Sequence, residues 1–81
     1  VMEVVRAVAG LHDLTPDQVL SVRQSKRESW ARFNVWHHLH AENPERYSLA
    51  WLGRKFERNY KSISYGIAQW EAKGKAYMET L

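Results

Sequence analysis

Between Leu52 and Glu71 the chain reads LGRKFERNYKSISYGIAQWE, with basic and hydrogen-bonding residues set between regularly spaced apolar ones. Arg54, Lys55 and Arg58 lead into Asn59, Tyr60, Lys61 and Ser62, and Tyr65 and Gln69 follow at helical spacing. Lysine and glutamine can reach guanine and adenine edges in a major groove, and serine can serve base or phosphate. Tyrosine can pack on a thymine methyl or donate to phosphate. A solvated helix face has the same composition, so the pattern alone leaves both readings open. A second basic cluster lies upstream, with Arg23, Lys26 and Arg27 in SVRQSKRES and Arg32 shortly after. A flexible basic loop can follow a phosphate backbone or enter a narrow minor groove, or simply be a charged solvent loop.

Other chemistry is poorly served. In WHHLH, His37 and His40 are three apart and could share a ligand. Two imidazoles with no cysteine and no evident acidic partner make a weak ligand set, so no metal is expected and the histidines read as flanking the core. There is no cysteine, no glycine-rich phosphate loop, no HExxH and no carboxylate pair in an apolar setting, so neither an enzyme nor a cofactor is expected. Of the four tryptophans, Trp36 and Trp70 fall on expected inner faces, while Trp30 and Trp51 lie outside the clearest stripes and stay open as contact residues.

The elements that must position these residues are helical. Val1, Val4, Val5 and Val8 recur at helical spacing, with Gly10-Leu11 as the expected stop. In LTPDQVL, Thr15 caps, Pro16 takes the first helical position and Gln18 completes a capping box, with Leu14 and Val19 as its apolar staple. The polar run SVRQSKRES reads as a basic loop. A third helix begins near Ser29, carries Val35, Trp36 and Leu39 on one side, and stops at Asn43-Pro44. Ser48 caps a fourth helix with Leu49, Leu52 and Phe56 inward, ending near Glu57-Arg58. Asn59 caps a fifth and longest helix, whose inward stripe is Ile63, Ile67, Trp70, Tyr77 and Leu81. Lys61, Ser62, Tyr65 and Gln69 then fall on its outer arc. Gly66 and Gly74 would weaken that helix by about 1 kcal/mol each relative to alanine. No window alternates at strand period, so the fold class is all-α, about five helices with a helix-turn-helix arrangement at the end, in one domain over residues 1–81.

Composition agrees with a polyanion partner. The net charge is only +3, yet from Arg23 to Lys61 nine Lys and Arg stand against four acids, while the flanking segments carry three bases and five acids. A basic middle between acidic ends suits a nucleic-acid surface. No segment approaches the apolar length that spans a bilayer, and the N-terminal stretch lacks the features of a signal peptide, so no membrane is expected. Without cysteine, a reducing cytoplasm is the expected setting. The chain begins at Val1 rather than Met, which points to a trimmed chain or a piece of a longer one.

With the elements placed, the chain resembles the C-terminal DNA-binding domain of the bacterial replication initiator DnaA, which belongs with the Trp-repressor group of helix-turn-helix proteins. LTPDQVLS resembles that family's second-helix entry, SVRQSKRESWAR its basic loop and LGRKFERNYKSI its signature. Leu52, Gly53, Phe56 and Arg58 fit the signature, and Ile63 takes its branched apolar position. Where the family has a glycine pair this chain has only Glu57, and the family's base-reading Asp-His-Thr-Thr is replaced by Asn59, Tyr60, Lys61 and Ser62. Arg23, Lys26 and Arg32 sit at cationic positions of the family's loop, whereas Gln24 replaces an arginine that enters the minor groove. The resemblance implies double-stranded DNA binding and places Arg58, Asn59, Tyr60, Lys61, Ser62 and the loop's Arg23, Lys26 and Arg32 at the interface; the charge and helix-face pattern adds Arg27, Arg54, Lys55, Tyr65 and Gln69 as expected contacts. The expected role is a stand-alone, phage-associated or host regulator of replication or transcription. These 81 residues carry no counterpart of the initiator's ATPase module, so origin opening is not expected of them alone. A protein-interaction domain that kept the fold stays open as the alternative, and nothing marks a homodimer surface.

Overall fold

Four of the five helices start on a side-chain cap, and the first starts without one. The computed structural model describes residues 1–81 as five helices and no strand: α1 Met2–Leu11, α2 Pro16–Leu20, α3 Lys26–Glu42, α4 Leu49–Lys55 and α5 Tyr60–Met78. Thr15 and Gln18 form the reciprocal capping box at α2, with the Gln18 amide donating to Thr15 Oγ1 at 3.2 Å and the Thr15 amide to Gln18 Oε1 at 2.8 Å. Ser48 caps α4 by accepting from the Trp51 amide, and Asn59 caps α5 by accepting from the Lys61 amide.

The start of α3 differs from the expectation. Ser25 is its N-cap, accepting from the Glu28 amide, so Lys26 and Arg27 belong to the first helical turn and the loop shrinks to residues 21–25. The serine run is polar because it caps, and Ser25-x-x-Glu28 is the capping signature that a loop reading passes over. The Glu28 carboxylate also receives the hydroxyls of Ser25 and Ser21. These bonds, led by Ser25 and joined by the charges of Arg23 and Arg32, hold its pKa below the usual carboxylate value against the opposing effect of burial.

Two helix ends use left-handed residues that are not glycine. Helix α1 runs through Gly10 and is stopped by Asp13 at φ 57°, with the Leu14 amide donating to the Ala9 carbonyl and the Asp13 amide to Gly10. Helix α4 ends the same way on Glu57 at φ 54°, with Arg58 donating to Gly53 at 2.8 Å and Glu57 to Arg54 at 3.4 Å. Both are Schellman ends, and each places an L side chain where about 1–2 kcal/mol is lost to Cβ crowding.

The helices close on one cluster of twelve buried apolar residues, built on Val5, Val8, Val19, Val35, Trp36, Leu39, Leu52, Phe56 and Ile63. Helix α3 lies across α5 and also meets α1 and α2, while α4 leans on α5. The radius of gyration is 11.4 Å, against about 11.7 Å for a well-packed chain of this length. Ile63 and Ile67 face inward as expected, Trp70 and Tyr77 are half-buried, and Leu81 lies beyond the end of α5 with 54% of its surface exposed, outside the inward stripe. Trp30 and Trp51 are half-buried packing residues. Trp30 stacks on Tyr77 at 4.9 Å and Trp51 packs edge-on to Tyr47 at 5.1 Å.

Three helical glycines serve close approach: Gly53 to the backbone of Arg58, Gly66 to the rings of α3, and Gly74 to the Trp70 ring. A Cβ on Gly66 would stand 2.6 Å from Phe33 Cδ1 and 2.8 Å from the Trp36 ring. Gly10, although helical, has nothing within 4 Å of the same position. Gly66→Ala should therefore destabilise the fold by about 1–3 kcal/mol through overpacking, while Gly10→Ala, free of contacts, should stabilise it by about 0.5–1 kcal/mol. Urea denaturation of the two variants reads the opposite signs directly.

His12 is fully buried where α1 ends. Its Nε2 is 3.1 Å from the Asn34 amide nitrogen, its ring stacks near Tyr77 and Trp70, and its Nδ1 has no partner. With Asn34 donating, Nε2 accepts and the ring proton sits on Nδ1. Burial lowers its pKa below the ordinary 6.5. The unfolded chain then binds the proton more readily, so this contribution to stability is complete above the unfolded pKa and is lost as pH falls from there through the lower folded pKa. The melting temperature should drop between neutral and mildly acidic pH, and His12→Gln should flatten that slope.

Candidate nucleic-acid interface

The exposed start of α5 meets the 21–25 loop around two guanidinium groups. Arg32, expected as a surface cation, is only 3% exposed. Its Nη1 donates to the carbonyls of Val19 at 3.3 Å and Ser21 at 2.9 Å, and its Nη2 to the carbonyl of Arg23 and the hydroxyl of Ser29. The correction has a plain cause. The chain between α2 and α3 turns three carbonyls inward, and a planar fork with several donors satisfies them together. Desolvation, then the nearby charge of Arg58, lowers the pKa of Arg32, and Glu28 opposes this.

Arg58 joins the loop to the turn between α4 and α5. Its Nη1 donates to the Phe56 carbonyl at 3.0 Å and its Nη2 to Ser21 at 3.4 Å, so Arg32 and Arg58 share one acceptor. Arg58 is half-buried and lines two depressions. The first, of about 340 Å³, runs between the loop and the first turns of α5, and its lining of Gln24, Ser29, Arg32, Phe33, Trp36, Arg58, Lys61, Ser62 and Tyr65 contains no carboxylate. The second lies at the α4–α5 turn and brings together Arg54, Glu57, Arg58, Asn59 and Tyr60.

The remaining expected residues divide by place. Lys61, Ser62 and Tyr65 are exposed on the outer arc of α5, with Tyr65 61% open, and Gln69 is half-buried a turn further on. Asn59 is exposed, but its Oδ1 is engaged by the Lys61 amide at 2.8 Å. Arg23 and Lys26 are exposed at the loop and the head of α3, and Arg54 and Lys55 are exposed in the last turn of α4. Arg27 is exposed in the first turn of α3. Its charge acts on the Tyr77 hydroxyl, whose pKa burial raises and Arg27 lowers, and Tyr77 lies at the far end of α5 from Lys61. Sequence reasoning missed Ser29 and Phe33 as walls of the first depression; their spacing of four on α3, which puts them on one face, was the available signal.

The histidines separate. His40 donates from Nδ1 to the Tyr47 carbonyl at 2.9 Å, His37 lies 4.0 Å from Glu71, and His38 is exposed. No group of three His, Asp or Glu side chains is placed to hold a metal ion. No helix is long and apolar enough to cross a membrane. No family model matches the chain, and neither the curated proteins nor the solved structures contain a significant match.

Replacing Arg32 by Ala would leave the carbonyls of Val19, Ser21 and Arg23 without their shared donor. A loss of about 1–3 kcal/mol is expected, and Arg32→Lys should recover little of it because an ammonium cannot span three acceptors as the fork does. Chemical denaturation measures the loss, and amide hydrogen exchange at residues 21–25 shows whether the loop opens.

Proposed function

We propose that the protein binds double-stranded DNA in a sequence-dependent way, with α4, the turn and α5 acting as a helix-turn-helix and the outer face of α5 in the major groove. One observation carries this reading. From Tyr60 to Trp70 helix α5 has no carboxylate, and Lys61, Ser62 and Tyr65 stand exposed together beside Arg58. Such a face combines a charge for phosphate or guanine with neutral groups that read base edges. Arg23 and Lys26 on one side and Arg54 and Lys55 on the other would take flanking phosphates and set the angle of α5. The resemblance to the DnaA C-terminal domain supports a role in replication or transcription control in the cytoplasm.

The alternative is a protein-interaction domain. It rests on a shallow apolar groove between α1 and α3, where Val4, Ala7, Val8 and Leu11 meet Asn34 and His38, with Leu11 63% exposed.

Selection from a random duplex pool at fixed salt distinguishes the two. An enriched motif is expected; weak binding that vanishes as salt rises, with no enrichment, would turn attention to the α1–α3 groove. Against the enriched site, Lys61→Ala should lose about 1–3 kcal/mol and relax preference at one position. Joint replacement of Arg23 and Lys26 by Ala should weaken all duplexes alike and flatten the salt dependence by up to about 1.8 log–log units, at roughly 0.9 for each phosphate contact. Lys26 opposes the dipole at the head of α3, so its removal should leave the fold no less stable.

A further inference from the structure

The first depression holds more positive charge than the fold needs. Arg32 and Arg58 approach one another at the Ser21 carbonyl, and Lys61 stands on the facing wall. The only ion pair within 4.0 Å in the chain is His37 with Glu71, so none of these cations has a carboxylate at contact distance. Bringing guanidinium groups together under partial burial, with Glu28 as a counter-charge to Arg32 only beyond contact distance, is costly, and an anion in the depression would relieve it. Arg32 has spent its donors on carbonyls, but Arg58 uses only two of its five N–H groups, and Lys61 and Ser62 have no side-chain bond within the protein.

The other wall is aromatic. Tyr65 stands edge-on to Phe33 with centroids 6.2 Å apart and planes at 84°, and keeps most of its ring open. Phe33 in turn rests on Trp36, which is buried and fixed. A planar ring held beside free cationic donors, in a lining without a carboxylate, matches the two halves of a nucleotide: a base to stack and a phosphate to neutralise. A fully paired duplex offers phosphates here but keeps its base faces stacked on one another. An unpaired nucleotide offers both.

We propose that this depression is a seat for one unpaired nucleotide of a DNA strand, its base stacked on Tyr65 and its phosphate held by Arg58 and Lys61. The inference deepens the reading of this face as a nucleic-acid surface and adds single-stranded or extruded nucleotides to what it binds.

The test is fluorescence anisotropy of a short labelled oligothymidylate at fixed low salt, beside an abasic chain of the same length. The parent protein should bind the oligothymidylate more tightly than the abasic chain. Tyr65→Ala, at an exposed position, should weaken oligothymidylate binding by about 5- to 150-fold while leaving abasic binding as it was; Tyr65→Phe, which keeps the ring, should retain most of the affinity. Equal binding of the two chains by the parent, or an oligothymidylate affinity that Tyr65→Ala does not change, overturns the seat. An enriched duplex motif without oligothymidylate binding removes the seat and leaves duplex reading standing. Tyr65-dependent oligothymidylate binding without an enriched motif does the reverse.

Discussion

The carbonyl of Ser21 accepts from two guanidinium groups carried by different elements, Arg32 on α3 and Arg58 after α4. The loop side of the candidate interface depends on that shared acceptor. Through Arg32 the loop is bound to α3, through Arg58 it is bound to the α4–α5 turn, and Glu28 with its two serines holds the loop's other edge. The node lacks a direct ion pair, so its cohesion comes from charge-assisted bonds to backbone in a partly desolvated place, where each bond is stronger than in water. The same placement leaves positive charge facing outward into the first depression. One arrangement thus both orders the loop and gives the surface its sign.

Packing of α3 on α5 works to the same end. The approach at Gly66 is set by the Phe33 and Trp36 rings, which brings Tyr65 up against Phe33 at the rim. The rings of Trp30, Trp70, Tyr77 and His12 continue this contact through Trp30 and Phe33 toward the C-terminal end of α5. With α5 held along its inner side, its outer residues are presented on a supported helix, which is the condition under which a few side chains can discriminate among ligands.

Much of this could be read from residue order, for reasons that differ by element. Thr15, Ser48 and Asn59 announce their helices because cap chemistry is local and needs no tertiary partner. Ile63 and Ile67 show the inner face of α5 because periodicity survives without knowledge of what lies opposite. Arg32 was misleading for the converse reason: whether an arginine meets water, phosphate or three inward carbonyls is decided by chain geometry several residues away. The head of α3 was missed because Ser25 and Glu28 act as a pair, and composition alone marks serines as loop. Asp13 and Glu57 gave no warning of left-handed backbone, since neither is the glycine that usually signals it. Gly66 and Gly74 looked like weaknesses in a helix until their neighbours were in place.

At the α4–α5 corner, a Cβ on Gly53 would stand 2.7 Å from the carbonyl oxygen of Arg58. Backbone rests on backbone there, and no side-chain rearrangement can yield space. The corner is a stiff joint, and the angle between the two helices has little room to change. Variation that leaves the frame intact is confined to outward residues such as Lys61, Ser62 and Tyr65, which makes the scaffold suited to grafting a binding preference onto one helix face.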